Sequence, residues 1–179
     1  MYIDYSLASR TMAFNVVKKK WEPVMLEAAG MDPDADIFSK AVGSGVIAGT
    51  VKKSVAEELG ISAKTLVVTG GHDQACTALA AGIIREEMAV DGMVTAECIT
   101  AAFKDALAND SMLKNNFNCG PHVADGMYLT LAFILSGGGL LKWYRDNFAL
   151  YELQESRRKG VNVYRILDEK ASSEPTSIL

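Results

Sequence analysis

"VVTGGHDQACTALAAG", residues 67–82, decides how the rest of the chain is read. Two valines run into two glycines, then a histidine, an aspartate and a glutamine, then a run of small residues. The apolar run bounded by glycines predicts a buried strand over 65–71, and the small residues predict a helix over 73–84. Gly70 and Gly71 allow a sharp turn and close approach of another group to the backbone. Asp73 falls at the start of the helix, where the dipole favours an ionised carboxylate. Ligands of open α/β sheets bind at the carboxyl edge of the strands. Local sequence leaves two roles open for Asp73: acceptor of a substrate hydroxyl proton, or helix N-cap. Gln74 offers one donor group and one acceptor suited to a polyol, and His72 is either a turn residue or part of the same site. The second histidine, His122 beside Pro121, has no evident partner.

Moving outward, "KKSVAEELG" (52–60) predicts an amphipathic helix ending at Gly60, and "GVIAGTV" (45–51) a short strand. Residues 4–14 predict a helix capped by Asp4 or Ser6, and 21–30 a second helix with Pro23 in its first turn and Gly30 at its stop. Residues 31–40 are turn-rich. This alternation points to α/β architecture, with a mostly parallel sheet covered by helices. Downstream, 85–103 reads as two strands around an Asp91-Gly92 turn, 126–134 as a strand, 137–148 as a helix after a glycine run, and 162–172 as a last helix. The change of texture near residue 85 places a boundary there, giving domains 1–86 and 87–179. No internal repeat or low-complexity segment occurs.

Composition narrows the class. Of 179 residues, 49% are hydrophobic and 22% charged, as in an ordinary globular domain with a sizeable core. A net charge of −4 argues against a nucleic-acid or anionic-membrane partner. The basic runs Lys18-Lys19-Lys20 and Arg157-Arg158-Lys159 are short and read as solvated helix faces. Cys76, Cys98 and Cys119 form no metal-binding spacing, and their sparse, odd number suits a reducing compartment. The opening residues are unlike a signal peptide, and the longest apolar stretch, 127–135, falls short of the roughly 20 residues a membrane helix needs. The expectation is a cytoplasmic protein. Both ends interrupt a patterned segment, which suggests a piece of something longer.

Two further segments are weak alone. "DGMVTAECIT" (91–100) can present a hydroxyl and backbone N–H groups to a phosphate, or be a plain hairpin. "SGGGLLKWYRD" (136–146) can cradle phosphate at a helix N-terminus, or use its glycines for close helix packing. Their order is more informative. "DYSLASRTMAF", Trp21, "AEELGI", "VVTGGHDQACTALAAGI", "VDGMVTAECIT" and "SGGGLLKWYRD", taken in sequence, resemble the FGGY carbohydrate kinase family, which phosphorylates sugars and polyols such as xylulose, gluconate, fuculose and glycerol.

The resemblance implies an actin-like (ribonuclease H-like) fold of two domains. Residues 1–86 would be the later part of the sugar-binding domain, and 87–179 the opening part of the nucleotide-binding domain. It implies ATP and Mg²⁺ as cofactors and a sugar or polyol as substrate. Asp73 matches the family's general base and is the residue assigned to the metal; His72 and Gln74 match positions lining the sugar. Ser9, Arg10 and Thr11 lie on the sugar-binding side without an assigned contact. Thr95 matches the threonine of the phosphate hairpin, and Gly137, Gly138 and Lys142 lie where the family borders the nucleotide. Val94 stands where the family has glycine, and a branched side chain there would crowd a phosphate. The family's Asp-rich phosphate hairpin and adenine pocket have no counterpart in these residues. Two functions follow: a sugar kinase segment, or a truncated non-catalytic piece with an assembly role. A chain of this kind is expected to be homo-oligomeric and inactive by itself.

Overall fold

Asp4 ends the first strand and caps the first helix. Its carboxylate accepts the Leu7 N–H, so β1 (Tyr2–Asp4) passes directly into α1 (Tyr5–Ala8). A computed structural model describes residues 1–35, 37–93 and 96–174. The helix predicted over 4–14 stops early, in a 3₁₀ turn over Ser9–Thr11 and a left-handed Met12. The Thr11 hydroxyl donates to the Ala8 carbonyl at 2.7 Å and accepts from Ala13 N at 3.2 Å, diverting the backbone from helical pairing.

The chain continues through β2 (Phe14–Asn15), β3 (Lys20–Trp21), α2 (Pro23–Ala28), β4 (Lys40–Val42), β5 (Ile47–Thr50), α3 (Lys53–Leu59), β6 (Leu66–Val68) and α4 (Asp73–Ala80). Then come β7 (Ala89–Met93), β8 (Glu97–Phe103), α5 (Asp110–Lys114), β9 (Gly120–Pro121), β10 (Tyr128–Ile134), α6 (Gly137–Phe148), α7 (Leu150–Lys159) and α8 (Val163–Ser173). Pro23 opens α2, and Gly60 ends α3 in the left-handed conformation, as the sequence predicts.

The expectation of a mostly parallel sheet is corrected. β1 and β4 pair in parallel, but β2–β3, β5–β6 and β9–β10 are antiparallel. The largest sheet has the order β7-β8-β10-β9. Short turns close the β2–β3 and β9–β10 pairs, and α3 returns the chain so that β6 runs against β5, which alternation of helix and strand in sequence does not reveal. Three local readings also change. Asp91 and Gly92 lie inside β7, where pairing with β8 outweighs their turn preference. Lys18 and Lys19 lie in the turn of the β2–β3 hairpin and Lys20 opens β3, so the run is not a helix face; Asn15 Oδ1 accepts Val17 N and Lys18 N. Leu66, Val67 and Val68 of β6 are exposed rather than buried: β5 pairs with their backbone, but about half of each residue's surface stays open among the described residues.

The chain divides into two compact units, one of Met1–Gly92 with Cys98–Phe133, the other of Met93–Glu97 with Ile134–Leu179. The first takes in strands from both sides of residue 86. Its core packs Ala75 and Ala78 of α4, with Ile83, against Ala102 of β8 and Leu129 of β10. The alanines let the helix lie close on the sheet. The second unit contains the helices α6, α7 and α8. Ala149, Val163 and Ile166 are buried in it, and Lys170 pairs with Glu152 at 2.6 Å. Arg157 and Arg158 lie exposed in the last turn of α7, where Arg158 and Lys159 pair with Glu155.

Ala78 is fully buried. Replacing it with leucine is expected to overpack the helix–sheet contact and destabilise the protein by about 1–3 kcal/mol in urea unfolding.

Candidate active site

The site is built from a buried carboxylate outward. Asp4 is 2% exposed. Its Oδ1 accepts the Ser6 hydroxyl at 2.5 Å and the Leu7 N–H at 2.9 Å; its Oδ2 accepts the Ser44 hydroxyl at 2.5 Å. A carboxylate without a cationic partner is tolerable in the interior only when so satisfied. Ser6 in turn accepts the His72 N–H at 2.8 Å. The first strand–helix junction thus holds the second, across 66 residues of sequence.

Gly71 stands at the tightest approach in that second junction. A Cβ there would fall 2.2 Å from Val123 Cγ1 and 3.2 Å from Ser6 Oγ, so no other residue fits without displacing a neighbour. Around Gly70 a Cβ would meet nothing within 4 Å. The two glycines therefore differ: one is required by packing, the other faces open space.

β6 ends at Val68, and α4 begins at Asp73. The N-cap position belongs to His72, whose side chain makes no capping bond, so Asp73 is the first helical residue and not the cap. Its carboxylate is 86% exposed, with Oδ1 accepting Gln74 N at 2.7 Å and lying 3.4 Å from His72 Nδ1. An exposed carboxylate in the first turn, with open space beside Gly70, is able to accept a proton from a bound hydroxyl. His72 and Gln74, both half-buried, flank it.

Gly137 and Gly138 open α6 and Lys142 lies in its second turn, in the second unit. Gly137 is buried, and a Cβ on it would fall 2.8 Å from Glu97 N and 2.9 Å from the Ala96 carbonyl carbon, so its glycine serves close packing. Ser136 makes no side-chain cap, leaving the first-turn N–H groups without one, and Lys142 is exposed. Thr95 and Val94 lie outside the described residues. No cluster of three or more metal-binding side chains occurs among the described residues. None of their helices is long and apolar enough to cross a membrane.

Sequence reasoning assigned no role to Asp4 beyond a cap, and none to His122. The His122 ring is buried, with Nε2 2.7 Å from the Ile83 carbonyl. Nothing local in the sequence announces a contact across 39 residues.

Residues 1–80 match the family model described as the FGGY family of carbohydrate kinases, N-terminal domain. An autoinducer-2 kinase of Escherichia coli is 30% identical over 175 residues, covering 97% of this chain and 32% of its own length. Over these 80 residues the chain is similar to the FGGY carbohydrate kinases, and it is similar to the autoinducer-2 kinase along nearly all of its own length. It spans about a third of the length of the curated relatives it matches. Among solved structures, a xylulose kinase from Rhodospirillum rubrum superposes with a TM-score of 0.80 at 22% identity, over 98% of this chain and 33% of that one. A ligand-bound xylulose kinase from Lactobacillus acidophilus gives 0.76 at 18%, over 97% and 32%. These FGGY structures establish the actin-like fold.

Asp4→Ala is expected to cost about 1–3 kcal/mol, because it strands the buried Ser6 hydroxyl and the partly buried Ser44 hydroxyl; chemical denaturation measures this. A second outcome concerns pH. Burial holds the His122 pKa below the ordinary histidine value, against a smaller opposing effect of the Ile83 carbonyl. The unfolded chain then binds more protons than the folded one in acid. The contribution of neutral His122 is complete above about pH 6.5 and lost as pH falls through the lower folded value. The thermal midpoint should decline below about pH 6.5 in the native chain, and less in His122→Gln.

Proposed function

We propose that this chain is the part of an ATP-dependent sugar or polyol kinase that carries the general base. The observation that supports this most directly is the exposed Asp73 carboxylate at the head of α4, in a turn fixed by Gly71 and by the Ser6–His72 bond. In this reading residues 1–86 come from the sugar-binding domain and 87–179 from the nucleotide-binding domain. His72 and Gln74 hold the sugar near Asp73. Asp73 takes the proton of the attacking hydroxyl as the γ-phosphoryl group transfers, which makes the oxygen a better nucleophile.

Asp73 is a single hard oxygen ligand, which suits a Mg²⁺ ion held mainly by ATP phosphates and water; such an ion would neutralise charge developing on the transferred group. The uncapped N–H groups opening α6 suit a phosphate, with Gly138 and Lys142 bordering it; the family resemblance adds Thr95 as a further phosphate contact. Gly137 would act there through packing against the strand.

A second reading is favoured by exposed apolar side chains. Leu66, Val67 and Val68 are exposed in the first unit, and Trp143 and Phe148 in the second. Such surface promotes association of copies of the chain and suits a non-catalytic assembly role. Sedimentation of the purified chain should then show species larger than a monomer.

The kinase reading is tested in a full-length kinase carrying this segment, with Mg-ATP and a panel of autoinducer-2, xylulose, gluconate and glycerol. Asp73→Asn keeps the shape of the side chain but cannot take the proton. It should lower sugar-dependent ADP release by ~10²–10⁴. Turnover near the native rate would remove Asp73 from the role of base. The 179-residue chain by itself is expected to release no sugar-dependent ADP.

A further inference from the structure

His122 and Val123 are adjacent, and they grip α4 from its two ends. Val123 presses against Gly71, just ahead of Asp73, with Cγ1 filling the space a Cβ would need. His122 reaches the other end: its Nε2 is 2.7 Å from the carbonyl of Ile83, three residues past the last helical residue. A carbonyl oxygen only accepts, so Nε2 carries the proton and donates. Nδ1 is then a bare acceptor, buried and without a partner among the described residues. Phenylalanine would fill the same volume without that unsatisfied atom. What the imidazole offers in exchange is the bond to Ile83. Both residues stand at the mouth of the turn between β9 and β10, closed by His122 N donating to Met127 O at 2.9 Å.

We infer that His122 is a positioning residue: with Val123 it fixes where α4 lies along its own axis, and so where Asp73 presents its carboxylate. The catalytic meaning of this clamp rests on the reading of Asp73 as base; the clamp itself does not. Ala75 and Ala78 offer the sheet a smooth face that resists sliding poorly. Contacts at the two ends supply the axial stop. The Ser6–His72 bond adds a third restraint on the same turn.

Two measurements on the chain as it exists decide the matter. Nitrogen NMR of the native His122 ring should report the Nε2–H tautomer near neutral pH. In His122→Phe, amide exchange at His72 and Cys76 should rise roughly tenfold relative to Ala56 and Ile61 around α3. His122→Gln, whose terminal amide keeps a donor at similar reach, should restore most of that protection. An Nδ1–H tautomer, or exchange rising in step at all four amides, overturns the clamp. If His122→Phe does not fold, His122→Gln still decides: selective loss of protection at His72 and Cys76 despite the retained donor counts against the bond. Asp73→Asn should leave these exchange rates unchanged, so failure of the base and failure of the clamp are read separately.

Discussion

The buried carboxylate of Asp4 is the constraint around which the first unit is organised. It collects the Ser6 hydroxyl, the Leu7 N–H and the Ser44 hydroxyl, and through Ser6 it holds His72. An interior anion with no cation nearby is stable only while its donors stay in place. The converse also holds: donors drawn from residues 6, 7 and 44 are locked to one another by their shared acceptor. Strand β1, helix α1, the loop after β4 and the turn before α4 are therefore one hydrogen-bonded body.

That body leaves Asp73 in an unusual position. The turn carrying it is rigidly backed by Gly71 against Val123 and by the Ser6 bond, yet the carboxylate itself is mostly solvent-exposed. On the proposed reading of Asp73 as base, the carboxylate must meet a substrate and also be held within a few tenths of an ångström of a productive geometry. Backbone anchoring with a free side chain meets both requirements. The two glycines divide the labour, Gly71 allowing the packing and Gly70 leaving an open approach. In the second unit the glycine opening α6 serves a different end, bringing a helix onto the backbone of Ala96 and Glu97.

Much of the local structure was legible because its causes are local. Pro23 at a helix start, Gly60 at a helix stop, and the helices α6 and α8 follow from propensity and spacing. The motif order led to the family for the same reason: residues that must meet the chemistry lie within short segments. Sheet direction was misread because the alternation of helix and strand along the chain does not say which strands pair, or in which sense. Asp91-Gly92 became strand interior because β8 supplied a partner that turn preference could not anticipate. The apolar residues of β6 looked like a core strand, and their exposure could be learned only from what lies around them.

The sequence by itself determined the junction at Asp73 and its residue types. These depend on steric limits of glycine, on the helix dipole and on apolar periodicity, all of which act within a few residues. Only the tertiary structure decided what holds that junction. Asp4 to Ser44, Ser6 to His72, Gly71 to Val123 and His122 to Ile83 are contacts between groups 39 to 66 residues apart, or packed against one another with no shared local pattern. A hydrogen bond or a van der Waals contact forms wherever folding brings two groups together, and the linear order of residues carries no mark of it.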